Sequence, residues 1–348
     1  MGDLLSYSGI TTKVRAMESH LITDSQFREM AALETVSDAE EYLRRLPAYE
    51  GLFANLEGVV LHRGAIEQRL ILSLYQDYAK LYRFANLTQR KFLDLYFMHF
   101  EIDILKKCFR NAMGKNRLDI DLSVFQDFFE KHSRLDLIKL SSSMDLQEFI
   151  TNLEGSVYYD LLAYLDDREQ PTLFDYEVHL DLLYFRTIRK VMGKHLTRKE
   201  QDLLKRCFGC KLDLLNIQWI YRSKKYYHLQ PADIYTLLIP FNYHLNKEQI
   251  NKLAETATLE EFYSVLKNTF YGRKSDLEAA DMPDLEHITL EVLDKIYRSS
   301  SRQNPYSIAT LNSYLYFKEE EIQKIITLIE SIRYRVSPDE IISYVVKM

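Results

Sequence analysis

The sequence predicts an all-α protein, and three observations predict it. Glycine and proline are scarce, 10 and 7 in 348 residues, fewer than the turns of a β architecture demand. Apolar residues recur at helical spacing, as in Ile66, Leu70, Leu74, Tyr78, Leu81 and Tyr82. No stretch shows the strong apolar–polar alternation of a half-buried strand. The 25 tyrosines and 18 phenylalanines then read as bulky helix–helix packing with hydroxyls reaching the surface.

Taken in order, a helix begins within Tyr7–Leu21, Asp24 caps a short one through Met30, and Asp38 opens a third. A long amphipathic helix starts at Gly64, and Thr88 caps the next, which carries Phe92, Leu95, Phe100 and Ile104 and ends near Gly114. A short helix over Val124–His132 precedes one opened by Asp145. Pro171 precedes a long helix from Asp175 to about Val191, closed by Gly193, and Thr197 opens another to about Ser223. The last third holds a segment from Pro231, a helix opened by Thr258, one from Pro283 to Ser299, and a long one through Lys318–Ile332. Pro231 and Pro338 each sit in a first helical turn, where a pre-set φ helps and no N–H is lost.

Three of these helices carry one signature. Thr258 with Glu261 is a capping box, in which each side chain satisfies a backbone N–H at the helix start. Leu266 and Tyr271 follow. Asp145, Glu148, Leu153 and Tyr158 share the same offsets; Asp38, Glu41 and Leu46 match as well, with Tyr49 two residues early. The glutamates stand 107 and 113 positions apart, so the chain holds three copies of one unit. That period is too long for a tetratricopeptide or HEAT array and indicates three diverged helical domains, 1–118, 119–230 and 231–348. The long helices correspond too: Ile66-Glu67 with Tyr75 matches Tyr176-Glu177 with Phe185, and Glu101 precedes Arg110 by nine residues as Asp213 precedes Arg222.

Motifs of catalysis and ion binding are missing. Gly114-Lys115 and Gly193-Lys194 lack the upstream glycine of a phosphate-binding loop, and Asp119-Ile-Asp121 lacks the glycine and terminal glutamate of a calcium loop. Cys207-Phe-Gly-Cys210 falls mid-helix with both thiols on one face and no further ligands at zinc spacing, so it reads as two small buried hydrophobes. Three cysteines in all argue for a reducing cytoplasm, the N-terminus shows no signal peptide, and no window is apolar enough to span a membrane. A net charge of −6 disfavours general nucleic-acid binding.

Within that acidic chain, Arg186–Lys225 is strongly basic, with twelve basic residues against three acidic ones. One reading is two solvated helix faces carrying charge pairs. The other is a surface facing anionic lipid headgroups or an acidic partner, with Arg186, Arg189, Lys190, Lys194, Arg198 and Lys199 as its candidates.

With the repeats in hand, the sequence resembles the C subunit of bacterial and archaeal V/A-type ATPases, equivalent to the d subunit of eukaryotic V-ATPases. The resemblance covers essentially the whole chain. It is carried by Tyr7 with Lys13-Val-Arg-Ala-Met17, Leu21-Ile-Thr-Asp-Ser-Gln-Phe-Arg28, the three signature helices, Asp213-x-x-Asn216 before Tyr221-Arg222-Ser-Lys224, and Tyr314-Leu-Tyr-Phe-Lys-Glu-Glu-Glu-Ile322. Two departures stand out. The family's Glu-Ile-x-Asn-Leu-Arg is here Glu321-Ile-Gln-Lys-Ile-Ile326, and Ile104 stands where the first repeat would carry the Asn.

The resemblance implies a funnel-like, pseudo-threefold arrangement of three helical domains and a non-catalytic central-stalk role without cofactors. It further implies one copy per complex on the cytoplasmic face of the cell membrane, coupling the D and F shaft subunits to the proteolipid ring for ion transport or ATP synthesis. A soluble helical scaffold unrelated to ATPases is the alternative, and a Cys207/Cys210 redox protein a more distant one.

Overall fold

The computed structural model describes residues 2–53, 63–114, 122–167, 171–274 and 285–346. Those residues form eighteen α-helices, and no strand is present among them. The first repeat contributes α1 (Gly2–Glu18), α2 (Asp24–Ala31), α3 (Val36–Arg44), α4 (Glu50–Phe53), α5 (Arg63–Phe84) and α6 (Leu87–Met113). The second contributes α7 (Ser123–His132), α8 (Leu137–Ser142), α9 (Leu146–Thr151), α10 (Tyr159–Asp166), α11 (Leu173–His195) and α12 (Arg198–Lys225). The third contributes α13 (Pro231–Leu237), α14 (Lys247–Glu255), α15 (Leu259–Lys267), α16 (Leu285–Gln303), α17 (Ile308–Arg333) and α18 (Pro338–Val345). The 118/119 boundary, the acidic pair of residues 119 and 121, Lys115 and Pro283 lie outside the described residues.

Helix starts follow local capping chemistry, with four shifts from the sequence reading. Asn86, not Thr88, caps α6 and pairs with Gln89; Thr23, not Asp24, caps α2 and pairs with Gln26. Thr172 caps α11 with Asp175, and Gly193 lies inside its last turn instead of closing it. The fourth shift touches the signature itself. Thr35 is the cap of α3, Asp38 is the third helical residue whose carboxylate returns to Thr35 N, and Glu41 is an exposed partner of Arg45. An Asp three residues past a Thr satisfies both orphan donors, which Asp38 with Glu41 does not do here. In the corrected register Thr35, Asp38 and Leu43 match Asp145, Glu148 and Leu153, and Tyr49 arrives one residue late. Asp145 and Thr258 cap α9 and α15 as expected, while Glu148 and Glu261 reach one residue further back, to Met144 N and Ala257 N.

By packing, the chain divides into two compact units. One comprises Met1–Val14 and Thr197–Phe317, the other Arg15–Leu196 and Lys318–Met348. In the first, Cys207, Leu214 and Ile217 of α12 share a core with Phe262 and Leu266 of α15 and Ile288 and Val292 of α16. Gly209 is required there, because a Cβ would sit 2.5 Å from Cγ of Tyr243. The core of the second unit is aromatic: Tyr75 stacks on Phe128 at 4.7 Å and meets Phe125 edge-on, and Phe109 lies 4.4 Å from Tyr176. Such ring pairs add to the burial of their area and account for the aromatic composition as packing.

The repeats share more than their signature. α6 packs along α11, and α12 along α16, pairing the second long helix of one repeat with the first of the next. α7 packs on α8 and α13 on α14; α18, at the far end of the chain, packs on α2 in the same way.

Candidate functional site

The long helices α6, α12 and α17 each place one carboxylate against the opening of a following repeat. Asp213 on α12 is fully buried and accepts four hydrogen bonds: from Tyr243 N at 3.1 Å, His244 N at 2.7 Å, Leu245 N at 3.0 Å and Tyr271 Oη at 2.7 Å. Burial pushes this carboxyl above the usual aspartate range, and the donors pull against that shift. One turn on, the Asn216 amide donates to Ile239 O at 3.1 Å and accepts from Ile239 N at 2.9 Å. Asp213-x-x-Asn216 is therefore a device that stitches residues 239–245 onto α12.

Glu101 on α6 does the same for the second repeat. It accepts from Tyr158 Oη at 2.7 Å and from the Ser133 hydroxyl, which in turn accepts from Leu135 N at 3.0 Å. Its pKa is raised by burial as well, with both donors opposing. Glu321 on α17 holds the first repeat through Ile22 N at 2.5 Å and the Tyr49 hydroxyl. A buried ammonium completes this third clasp: Lys318, 1% exposed, donates to Glu321 Oε1 at 2.8 Å and to Tyr49 Oη at 2.9 Å.

Each carboxylate accepts from a signature tyrosine, and the residue before a helix cap is tied in directly at Asp213 and Glu321 and through the Ser133 hydroxyl at Glu101. Ile22, Leu135 and Leu245 each directly precede a helix cap (Thr23, Asp136 and Asn246), and Tyr49, Tyr158 and Tyr271 are the buried signature tyrosines. Sequence reasoning paired Glu101 with Asp213 through the arginine nine residues on, and placed Glu321 only in the C-terminal stretch that carries the resemblance. Those arginines are ion-paired to the helix packed beside them, Arg110 to Glu177 at 2.6 Å and Arg222 to Glu286 at 2.5 Å.

The basic candidates are all exposed. Arg186, Arg189, Lys190 and Lys194 fall on one face of α11 by their i, i+3, i+4 and i+8 spacing, opposite the buried Ile188 and Met192. Arg198 and Lys199 open α12, in the other compact unit. Three other members of the run make bonds to neighbouring elements. Arg206 donates to Gln303 and Ser299, Arg222 pairs with Glu286, and Lys224 donates to Thr256 O at 2.5 Å. A 28-residue helix extends about 40 Å, so the two ends of α12 do not form one patch.

Redox and metal chemistry find no footing among the described residues. Cys207, Cys210 and Cys108 are buried free thiols, and burial pushes them up to about 11, 12 and 12. No group of three or more His, Cys, Asp or Glu residues is placed to hold a metal, and no helix is long and apolar enough to cross a membrane.

A family model described as ATP synthase (C/AC39) subunit matches residues 10–344. Among curated relatives, the C subunit of the A-type ATP synthase of Thermococcus kodakarensis is 25% identical over 97% of this chain and 90% of its own. Its counterpart in Pyrococcus abyssi is 25% identical over 96% and 89%, and that of Methanothermobacter thermautotrophicus 21% identical over 95% and 85%.

Proposed function

As this chain belongs to the ATP synthase (C/AC39) subunit family, we propose that it is a non-catalytic central-stalk adaptor of a rotary V/A-type ATPase. In this reading one copy per complex joins the shaft, formed by the D and F subunits, to the membrane proteolipid ring, peripherally on the cytoplasmic face. The observation that carries it is the match of nearly the whole chain to proteins named as the C subunit of A-type ATP synthases. Family membership also displaces the alternative of a scaffold unrelated to ATPases. The three repeats are proposed to act as three domains, 1–118, 119–230 and 231–348, in a pseudo-threefold arrangement. The cyclic order of the clasps supports this: the first repeat holds the second, the second the third, and the third the first. Long capped helices with few glycines suit a body that transmits torque.

The exposed basic face of α11 is proposed to meet the ring or its anionic lipid surroundings. Reversing Arg189, Lys190 and Lys194 together to Glu should weaken association with the purified membrane ring and alter its salt sensitivity. Assembly unchanged by the reversal would exclude this face from docking. Cross-linking against the two shaft proteins and the ring tests the adaptor role itself, since contacts to only one side would contradict coupling.

A further inference from the structure

The α5–α6 hairpin turns on Ala85 and the cap Asn86. Ala85 is buried, while Phe84 and Leu87, on either side of this link, are 59% and 79% exposed. The turn itself does not call for apolar side chains there. In the second repeat the link from α11 to α12 has the same length, with Leu196 buried and Thr197 as the cap, and its flanking residues are His195 and Arg198. Asn86 and Thr197 each close a capping box, with Gln89 and Glu200, so both helix starts are satisfied whatever stands beside the link. The reason for Phe84 and Leu87 lies outside the turn.

Cations gather at the same end. Helices α6 and α11 run antiparallel: Arg110 pairs with Glu177 at 2.6 Å, Lys106 pairs with Asp181 at 2.6 Å, and the His99 ring stacks on Tyr184 at 5.7 Å. From that stack Leu87 lies about 18 Å along α6 and Lys194 about 15 Å along α11, so the two helix ends are nearly level. The tip therefore combines Phe84 and Leu87 with Arg83 of α5, Lys91 of α6 and Lys190 and Lys194 of α11, all of them exposed. Few carboxylates oppose them. The first along α6 is Asp94, which pairs with Lys91 at 3.7 Å, and α11 carries none after Asp181. Beside Arg83, α5 and α7 leave a groove of about 450 Å³, lined by Leu72, Ala79 and Phe128 as well as by Asp127 and Lys131.

We propose that this tip binds the surface of an anionic lipid bilayer. Phe84 and Leu87 enter the boundary between headgroups and acyl chains, while Arg83, Lys190 and Lys194 meet the phosphates. Interfacial binding strengthens with the apolar area buried and with the attraction of cations to anionic lipid, and this tip offers both. Charge complementarity alone would suit an acidic protein too; the two large apolar groups among the cations favour lipid. Lipid contact here deepens the membrane docking proposed for the basic face of α11 and rests on that reading.

Co-sedimentation of the purified full chain with vesicles tests this. The unaltered protein should bind phosphatidylcholine vesicles containing about 30% phosphatidylglycerol at least about ten-fold more tightly than vesicles of phosphatidylcholine alone, and added salt should release it. Phe84→Ser combined with Leu87→Ser should weaken binding by about ten-fold or more while leaving the thermal midpoint nearly unchanged, because both side chains are exposed. Lys190→Gln and Lys194→Gln should each cost roughly five-fold. No binding of the unaltered protein to anionic vesicles, or binding that the serine pair leaves unchanged, would overturn the lipid contact. Loss of association with the purified membrane ring in the serine pair, without vesicle binding by the unaltered protein, would assign the tip to a protein partner and overturn it as well. Ring association is read separately from vesicle binding. Vesicle binding absent with ring association kept overturns the lipid contact alone; ring association absent with vesicle binding kept supports the lipid contact and contradicts the adaptor role alone.

Discussion

Tyr271 donates its hydroxyl to Asp213 across 58 residues of chain, and Tyr158 donates to Glu101 across 57. The tyrosine that closes a signature helix is thus bonded to the long helix of the repeat before it. In this family member the signature's last residue works between repeats.

Removing that hydroxyl should be measurable. Tyr271→Phe keeps the ring and loses one bond to a carboxylate, so the urea midpoint should fall by the equivalent of about 1.5–3 kcal/mol. Asp213→Ala should cost more, because Tyr243, His244 and Leu245 N–H groups lose their acceptor together with the Tyr271 hydroxyl. Equal losses would mean that the backbone stitch contributes nothing.

The clasps also set a pH dependence. Asp213 and Glu101 have folded-state pKa values raised, chiefly by burial, above their usual 3.8 and 4.5. Between the unfolded and the raised folded values the native state binds more protons, so stability falls as pH rises. Their contribution is complete below the unfolded values and is lost as pH passes upward through the folded ones. Urea midpoints from about pH 3.5 upward should decline more in the unaltered protein than in Asp213→Asn with Glu101→Gln; parallel curves would contradict the assignment.

The three thiols should be inert in the folded protein. With Cys207 at about 11 and Cys210 and Cys108 at about 12, all are protonated near neutral pH and shielded from reagents. A colorimetric thiol reagent at about pH 8 should react fully only with denaturant present. Fast labelling of two thiols in the native protein would reopen the redox reading.

Two glycines should respond in opposite directions. Gly193 lies in the last turn of α11 with open space at its Cβ position, so Gly193→Ala should stabilise by about 0.5–1 kcal/mol. Gly209→Ala must displace the Tyr243 ring and should lower the thermal midpoint. A neutral Gly209→Ala would show that Tyr243 yields easily.

The sequence by itself determined the all-α class, the capped starts of α9 and α15 and the burial of Cys207 and Cys210. These are local properties: a cap is satisfied within about four residues, and a helical period assigns a face without naming what covers it. Even here, competing local donors moved the cap of α3 from Asp38 to Thr35. Only the tertiary structure decided which carboxylate meets which tyrosine. The Tyr49–Glu321 bond spans 272 residues, and no spacing rule reaches that far. Nor could the sequence tell that Arg222 and Lys224 serve internal bonds while Arg189 and Lys190 remain exposed, because charge alone carries no address.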